Sequence, residues 1–295
     1  TQEQRAFIAI TTRENPDAEK QVAQAISEIQ NVNKENISEG TTWVIKGSSA
    51  NAKNAKQIGK LMEVTISANP NIAKIASSAA IVGGSQNSTV KEITEVAEFI
   101  SKGAILGATQ AGADIVTITQ IVATGSVSGA ASVGQDILSV SKSVTKGAIA
   151  GAVAGGGDIS LVTKAVTQGS IIGATNVGSS VDKMIQSVTK GAMLAAEESG
   201  LDVAQVVKAA TQGAITGGLE GGSNIAKLTK SITQAVSIAA NEVGLSSTDY
   251  LESVSAGITQ AASESGFDAS TLMEGSINNT SETIIDTTND TVPIK

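Results

Sequence analysis

The 295-residue chain is 41% hydrophobic but only 2% aromatic, and it carries 30 glycines, 28 acidic and 20 basic residues, a formal charge of −8, and no cysteine or histidine. This composition excludes disulfides, thiol nucleophiles, imidazole acid–base chemistry and the usual zinc or copper ligands, so no cofactor is expected. The length suffices to bury a core, but the core has to be built from Ala, Val, Ile and Gly, small residues that let backbones approach closely.

From the N-terminus, residues 1–99 read as a helical region with degenerate repeats. The first residue is Thr1 and not Met, which implies a leader removed either by processing or by the design of the expressed sequence. Residues 7–12 fit helix or strand equally. Asn15-Pro16-Asp17 is a cap with proline in the first turn, opening a helix to about Asn33, and Asn69-Pro70 repeats that signal before a helix over 71–82. Residues 40–47, with Trp43, Val44 and Ile45, form the one short stretch with extended character. Lys46, Lys53, Lys56, Lys60 and Lys74 surround the single acid Glu63. Without Arg or interleaved aromatics, such a zone is a solvated face, and nucleic acid is not an expected partner.

Residues 100–275 hold eight 22-residue repeats without insertion or deletion, starting at Ile100, Val122, Val144, Val166, Val188, Ala210, Ile232 and Val254. The thirteenth position is always glycine: Gly112, Gly134, Gly156, Gly178, Gly200, Gly222, Gly244 and Gly266. Two residues later stand Asp114, Asp136, Asp158, Ser180, Asp202, Asn224, Ser246 and Asp268, all preferred N-cap types. Glycine in the left-handed conformation closes one helix, and the side-chain oxygen caps the next. About 19 residues separate successive turns, enough for a helix of roughly 28 Å. So short a turn forces consecutive helices to be antiparallel. The expected fold is therefore all-α, an up-and-down antiparallel helical array or bundle of one-helix repeats.

Along the helix after Asp158, Ile159, Val162, Val166, Gly169, Gly173 and Val177 form an apolar stripe that faces a neighbour. A ladder of Lys and Gln, such as Lys142 and Lys146 or Lys164 and Gln168, marks the solvated side. Near mid-helix lie the close-packing pairs Gly103/Gly107, Gly125/Gly129, Gly147/Gly151, Gly169/Gly173 and Gly213/Gly217, with Gly191/Ala195, Ala235/Ala239 and Gly257/Ala261 as variants. Each glycine costs a helix about 1 kcal/mol relative to alanine, so their recurrence requires a compensating backbone approach. Glycine zippers also occur in membrane helices, but here the Lys/Gln ladder crosses mid-helix, which disfavours membrane contact without excluding it. The preceding row, Thr145, Thr167, Thr189, Thr211 and Thr233, is read first as hydroxyls bonding back along the helix. A regular threonine array for ice or polysaccharide is the sharper alternative.

Residues 276–295 are polar, with Pro293, and read as a tail or a subunit-linking segment. Thr283-Ile284-Ile285 and Thr291-Val292 have strand-like composition suited to pairing with another subunit. Glycosylation sequons at Asn36, Asn87, Asn278, Asn279 and Asn289 permit modification but do not require it. From Glu242 to Lys295 there are nine acidic residues and one basic.

Catalysis is not expected, because the carboxylates are caps or scattered surface groups. Glu197-Glu198 is the one close acidic pair within the repeats, and Gly155-Gly156-Gly157 lacks the Lys-Ser/Thr of a phosphate loop. The expected function is a structural protein, extracellular or at the cell surface, whose partners are other copies of itself. The basic zone and the acidic zone sit at opposite ends of the chain, which suits head-to-tail contacts and open filaments. The candidate assembly charges are Lys53, Lys56, Lys60, Glu264, Asp268 and Glu274. A binding module for protein, glycan or ice, and a membrane-active helical protein, are the alternatives.

Overall fold

The computed structural model describes residues 37–90 and 92–267. Among these residues the chain forms eleven α-helices and no strand. They are α1 (Ile37–Ala50), α2 (Ala55–Ala68), α3 (Ala73–Ser85), α4 (Ile93–Gln110), α5 (Ile115–Ser132) and α6 (Ile137–Gly155), then α7 (Ile159–Asn176), α8 (Val181–Glu198), α9 (Val203–Glu220), α10 (Ile225–Glu242) and α11 (Leu251–Glu264). The candidate helix at 15–33, the ambiguous stretch at 7–12 and the segment 276–295 lie outside the described residues.

Every Gly turn has one construction. Gly112, Gly134, Gly156, Gly178, Gly200, Gly222, Gly244 and Gly266 all have positive φ, between 61° and 80°. The next residue's N–H reaches back to a carbonyl five residues earlier, as in Gly157 to Ala152 (2.8 Å) and Ser179 to Ala174 (2.8 Å), the Schellman bond that satisfies a helix's last carbonyls. The following side chain caps the next helix: Asp114 accepts from Val116 N–H, Asp136 from Leu138, Asp158 from Leu161, Ser180 from Lys183, Asp202 from Ala204 and Asn224 from Ala226. The turn at Gly244 departs from the rule. Ser246 makes no cap bond, its hydroxyl meets that of Thr248, and a 3-10 turn (Ser247–Tyr250) precedes α11.

Two local expectations change. Residues 40–47 are helical and not extended, because Val44 and Ile45 are buried beneath α3, and this tertiary burial overrides the local β preference of the Trp-Val-Ile run. The helix after Asn69-Pro70 opens as a 3-10 turn (Pro70–Ile72), with the Asn69 side chain accepting from Asn71 N–H, and continues as α3 to Ser85.

Consecutive helices run antiparallel, and the most extensive contacts join helices two apart, which are parallel. The array is therefore two layers: α1, α3, α5, α7, α9 and α11 in one, and α2, α4, α6, α8 and α10 in the other. The structural unit is a helix pair of 44 residues, and the array has ends, unlike a closed bundle. The core is a sheet of buried Ile, Val and Ala between and within the layers.

Candidate assembly site

The mid-helix glycines set the spacing within each layer. A Cβ on Gly147 would overlap the carbonyl oxygen of Glu98, one on Gly169 that of Gln120, and one on Gly213 that of Lys164. On Gly191 it would lie 2.5 Å from the Lys142 oxygen. Each partner is 49 residues earlier, five beyond the 44 of a helix pair, so each helix is slid by roughly 7.5 Å along its parallel neighbour. The second glycines form notches: Gly151 receives Ile105 and Gly173 receives Val127, with Gly217 over the backbone of Gln168. At the N-terminal end Gly103 and Gly107 lie on Gly59 and Glu63, and Gly125 and Gly129 on Lys74 and Ser78.

The Lys/Gln ladder is an interaction surface within the chain and not a merely solvated side. Lys146 meets Glu198 at 2.8 Å, Gln168 meets Glu220 at 2.7 Å and Lys190 meets Glu242 at 2.7 Å, always 52 residues apart and between parallel helices. Lys146 also lies 3.9 Å from Glu98, Lys227 3.5 Å from Asp182, and Lys164 2.6 Å from Glu264. The Lys164 ammonium, then the Gln260 amide, hold the Glu264 carboxyl below the ordinary carboxylate range. Hydrogen bonds to the cap carboxylates act likewise: Thr117 hydroxyl first for Asp114, Ser139 hydroxyl first for Asp136. These rungs were missed in the sequence, although Glu198, Glu220, Glu242 and Glu264 recur every 22 residues and could have signalled them.

Of the candidate assembly charges, Lys53, Lys56 and Lys60 are exposed on and just before α2, with Lys60 2.7 Å from Glu63. Glu264 is engaged by Lys164 of its own chain, while Asp268 and Glu274 lie outside the described residues. The threonine row is overturned as a binding surface: Thr145, Thr167, Thr189 and Thr211 are at most 3% exposed, so no ice or glycan lattice can meet them. Thr145 and Thr233 hydroxyls donate to carbonyls four residues earlier, whereas those of Thr167 and Thr211 have no partner. Asn87 is buried, its side-chain amide donating to the Ser49 and Ala52 carbonyls at 2.8 Å each, which closes that sequon in the folded chain.

Glu198 is a rung, Glu197 is exposed and Gly156 is a helix terminator at φ 70°. Among the described residues, no group of three or more His, Cys, Asp or Glu is placed to hold a metal. A shallow groove of about 270 Å³ between α6 and α8 is lined by Leu138, Ser139, Lys142, Lys183, Gln186, Ser187, Lys190 and Glu242; its two serine hydroxyls donate to the Asp136 carboxylate and the Leu138 carbonyl. Among the described residues one helix, α5, is long and apolar enough to cross a membrane, and just over half of it is buried in the array. No protein-family model and no curated protein matches this chain.

Proposed function

We propose that the chain is a non-enzymatic structural subunit that joins copies of itself head to tail into an extracellular filament, sheath or matrix. The observation that supports this best is an array of repeats with two unlike ends. Lys53, Lys56 and Lys60 are exposed on and just before α2, while the chain beyond α11 is acidic. Unlike ends with complementary charge make heterologous contacts, which propagate and do not close. The absence of catalysis rests on a composition without His or Cys and on carboxylates already occupied as caps and rungs. A chain without thiols is also unaffected by an oxidising exterior.

Negative-stain microscopy of the purified protein at low and high salt tests the reading. Filaments or sheets that recede as salt rises are expected, and monodisperse particles at every concentration would sink it. The apolar length of α5 favours a second reading, that of a membrane-active protein. Liposome flotation separates the two, since a structural subunit stays at the bottom of the gradient.

A further inference from the structure

Ile105, Val127, Ile149, Ile171, Met193 and Ile215 occupy one position of the 22-residue repeat, and all are fully buried. A helix two further along covers the first two, Gly151 of α6 lying on Ile105 and Gly173 of α7 on Val127. The next two residues in the series are Ser237 in α10 and Thr259 in α11. Neither helix has a described helix two further along against it; Ser237 is half-buried and Thr259 exposed. Around Thr259, the outward side of α11 carries Glu252, Gln260 and Ser263, all exposed. An end built to accept another helix would keep the large apolar residue, whose burial is favourable. Polar residues there are how a repeat array terminates. Copies therefore do not join by continuing the helix stack past α11.

What the chain carries beyond that end is residues 268–295, with Asp268, Glu274, Glu282, Asp286 and Asp290 against the single Lys295. At the other end Lys56 and Lys60, four apart on α2, and Lys53 just before that helix stand exposed. Lys60 shares Glu63 with Gln110, and Lys53 and Lys56 have no acidic partner among the described residues. We infer that this basic side of α2 receives the acidic residues 268–295 of a second copy of the chain, an inference that rests on the head-to-tail reading above. The same segment could reach its own α2 only by running along the layer. Six helices at 8–10 Å spacing put α11 about 45 Å from α1, so the segment would spend roughly 13 of its residues, fully extended, in crossing that span. A second copy delivers its segment without that run.

Complementary charge reversal in the full chain tests this. One variant carries Lys53→Glu, Lys56→Glu and Lys60→Glu, another Glu274→Lys, Glu282→Lys and Asp286→Lys, and a third carries both sets. Sedimentation velocity should show each single set raising the concentration for half-assembly at least tenfold, and the combined set restoring it. Because all three lysines are exposed, restoration also separates lost docking from lost folding. Wild-type assembly by both single sets would overturn the docking while leaving head-to-tail assembly standing. Charge sets that alter only the compactness of a monomer would make the occupant the chain's own segment and likewise overturn it. If the wild type never assembles, the head-to-tail reading fails, and a labelled peptide of residues 268–295 added to the full chain decides the docking alone. Binding lost in the lysine variant would support it, and no binding would overturn it.

Discussion

At Gly147 and Gly191 the missing side chain is filled by a carbonyl of the parallel helix, whereas at Gly112 there is open space and a φ of 61°. The same substitution therefore fails for different reasons. Gly147→Ala gains up to about 1 kcal/mol of helix propensity but forces two backbones apart, at about 1–3 kcal/mol, so denaturant unfolding should show net destabilisation. Gly112→Ala meets no atom and costs about 1 kcal/mol through the left-handed backbone alone. The buried threonines divide in the same way. The Thr145 hydroxyl bonds the Ser141 carbonyl at 2.9 Å, so Thr145→Val should destabilise by about 1 kcal/mol. The Thr167 hydroxyl is buried without a partner, so Thr167→Val relieves a desolvated group and should leave the unfolding midpoint unchanged or raised. Equal losses in the two valine variants would contradict the hydroxyl assignments.

Helices α5 to α10 begin at a side-chain cap and α4 to α11 end at a left-handed glycine, and this construction was legible because both devices act within six residues. Asp114, Asp136 and Glu264 have carboxyls held below their ordinary range by hydroxyl, amide and ammonium donors. Such groups bind fewer protons in the folded chain, so their contribution is complete above the unfolded carboxylate pKa and is lost as pH falls through the lower folded values. With no histidine to titrate between, the melting temperature should be flat from about pH 5.5 to 8 and fall below about pH 4. Asp136→Ala should cost about 1 kcal/mol at pH 7 and shrink that acid-side fall. What the sequence did not yield was which helix each face meets. A period of 22 residues dictates that neighbours alternate in direction, yet it is silent on whether the glycine face meets the next helix or the next but one. The five-residue slide that places Gly169 on Gln120 exists only in three dimensions. Likewise Trp43-Val44-Ile45 reads as extended locally and is helical because α3 packs over it.

For the whole molecule, the decisive question is what stops the array. Six successive large apolar residues, Ile105 to Ile215, give way to Ser237 and Thr259 at the two helices left uncovered, and the adjoining Ile238 is 43% exposed. If polarity at these two sites is what ends the stack, restoring the apolar residue should reopen it. The double variant Ser237→Ile, Thr259→Ile would expose two isoleucines beside Ile238 on a surface shaped to receive a parallel helix. Each would contribute up to about 2 kcal/mol on burial against another copy, together up to about a thousandfold in the association constant. Because this contact is apolar, its strength should hold or increase as salt rises, opposite to the salt response expected of the charge-mediated assembly. Light scattering across a salt series reads both in one experiment. A double variant whose association still weakens with salt, or does not differ from wild type, would mean that Ser237 and Thr259 are not what terminates the array.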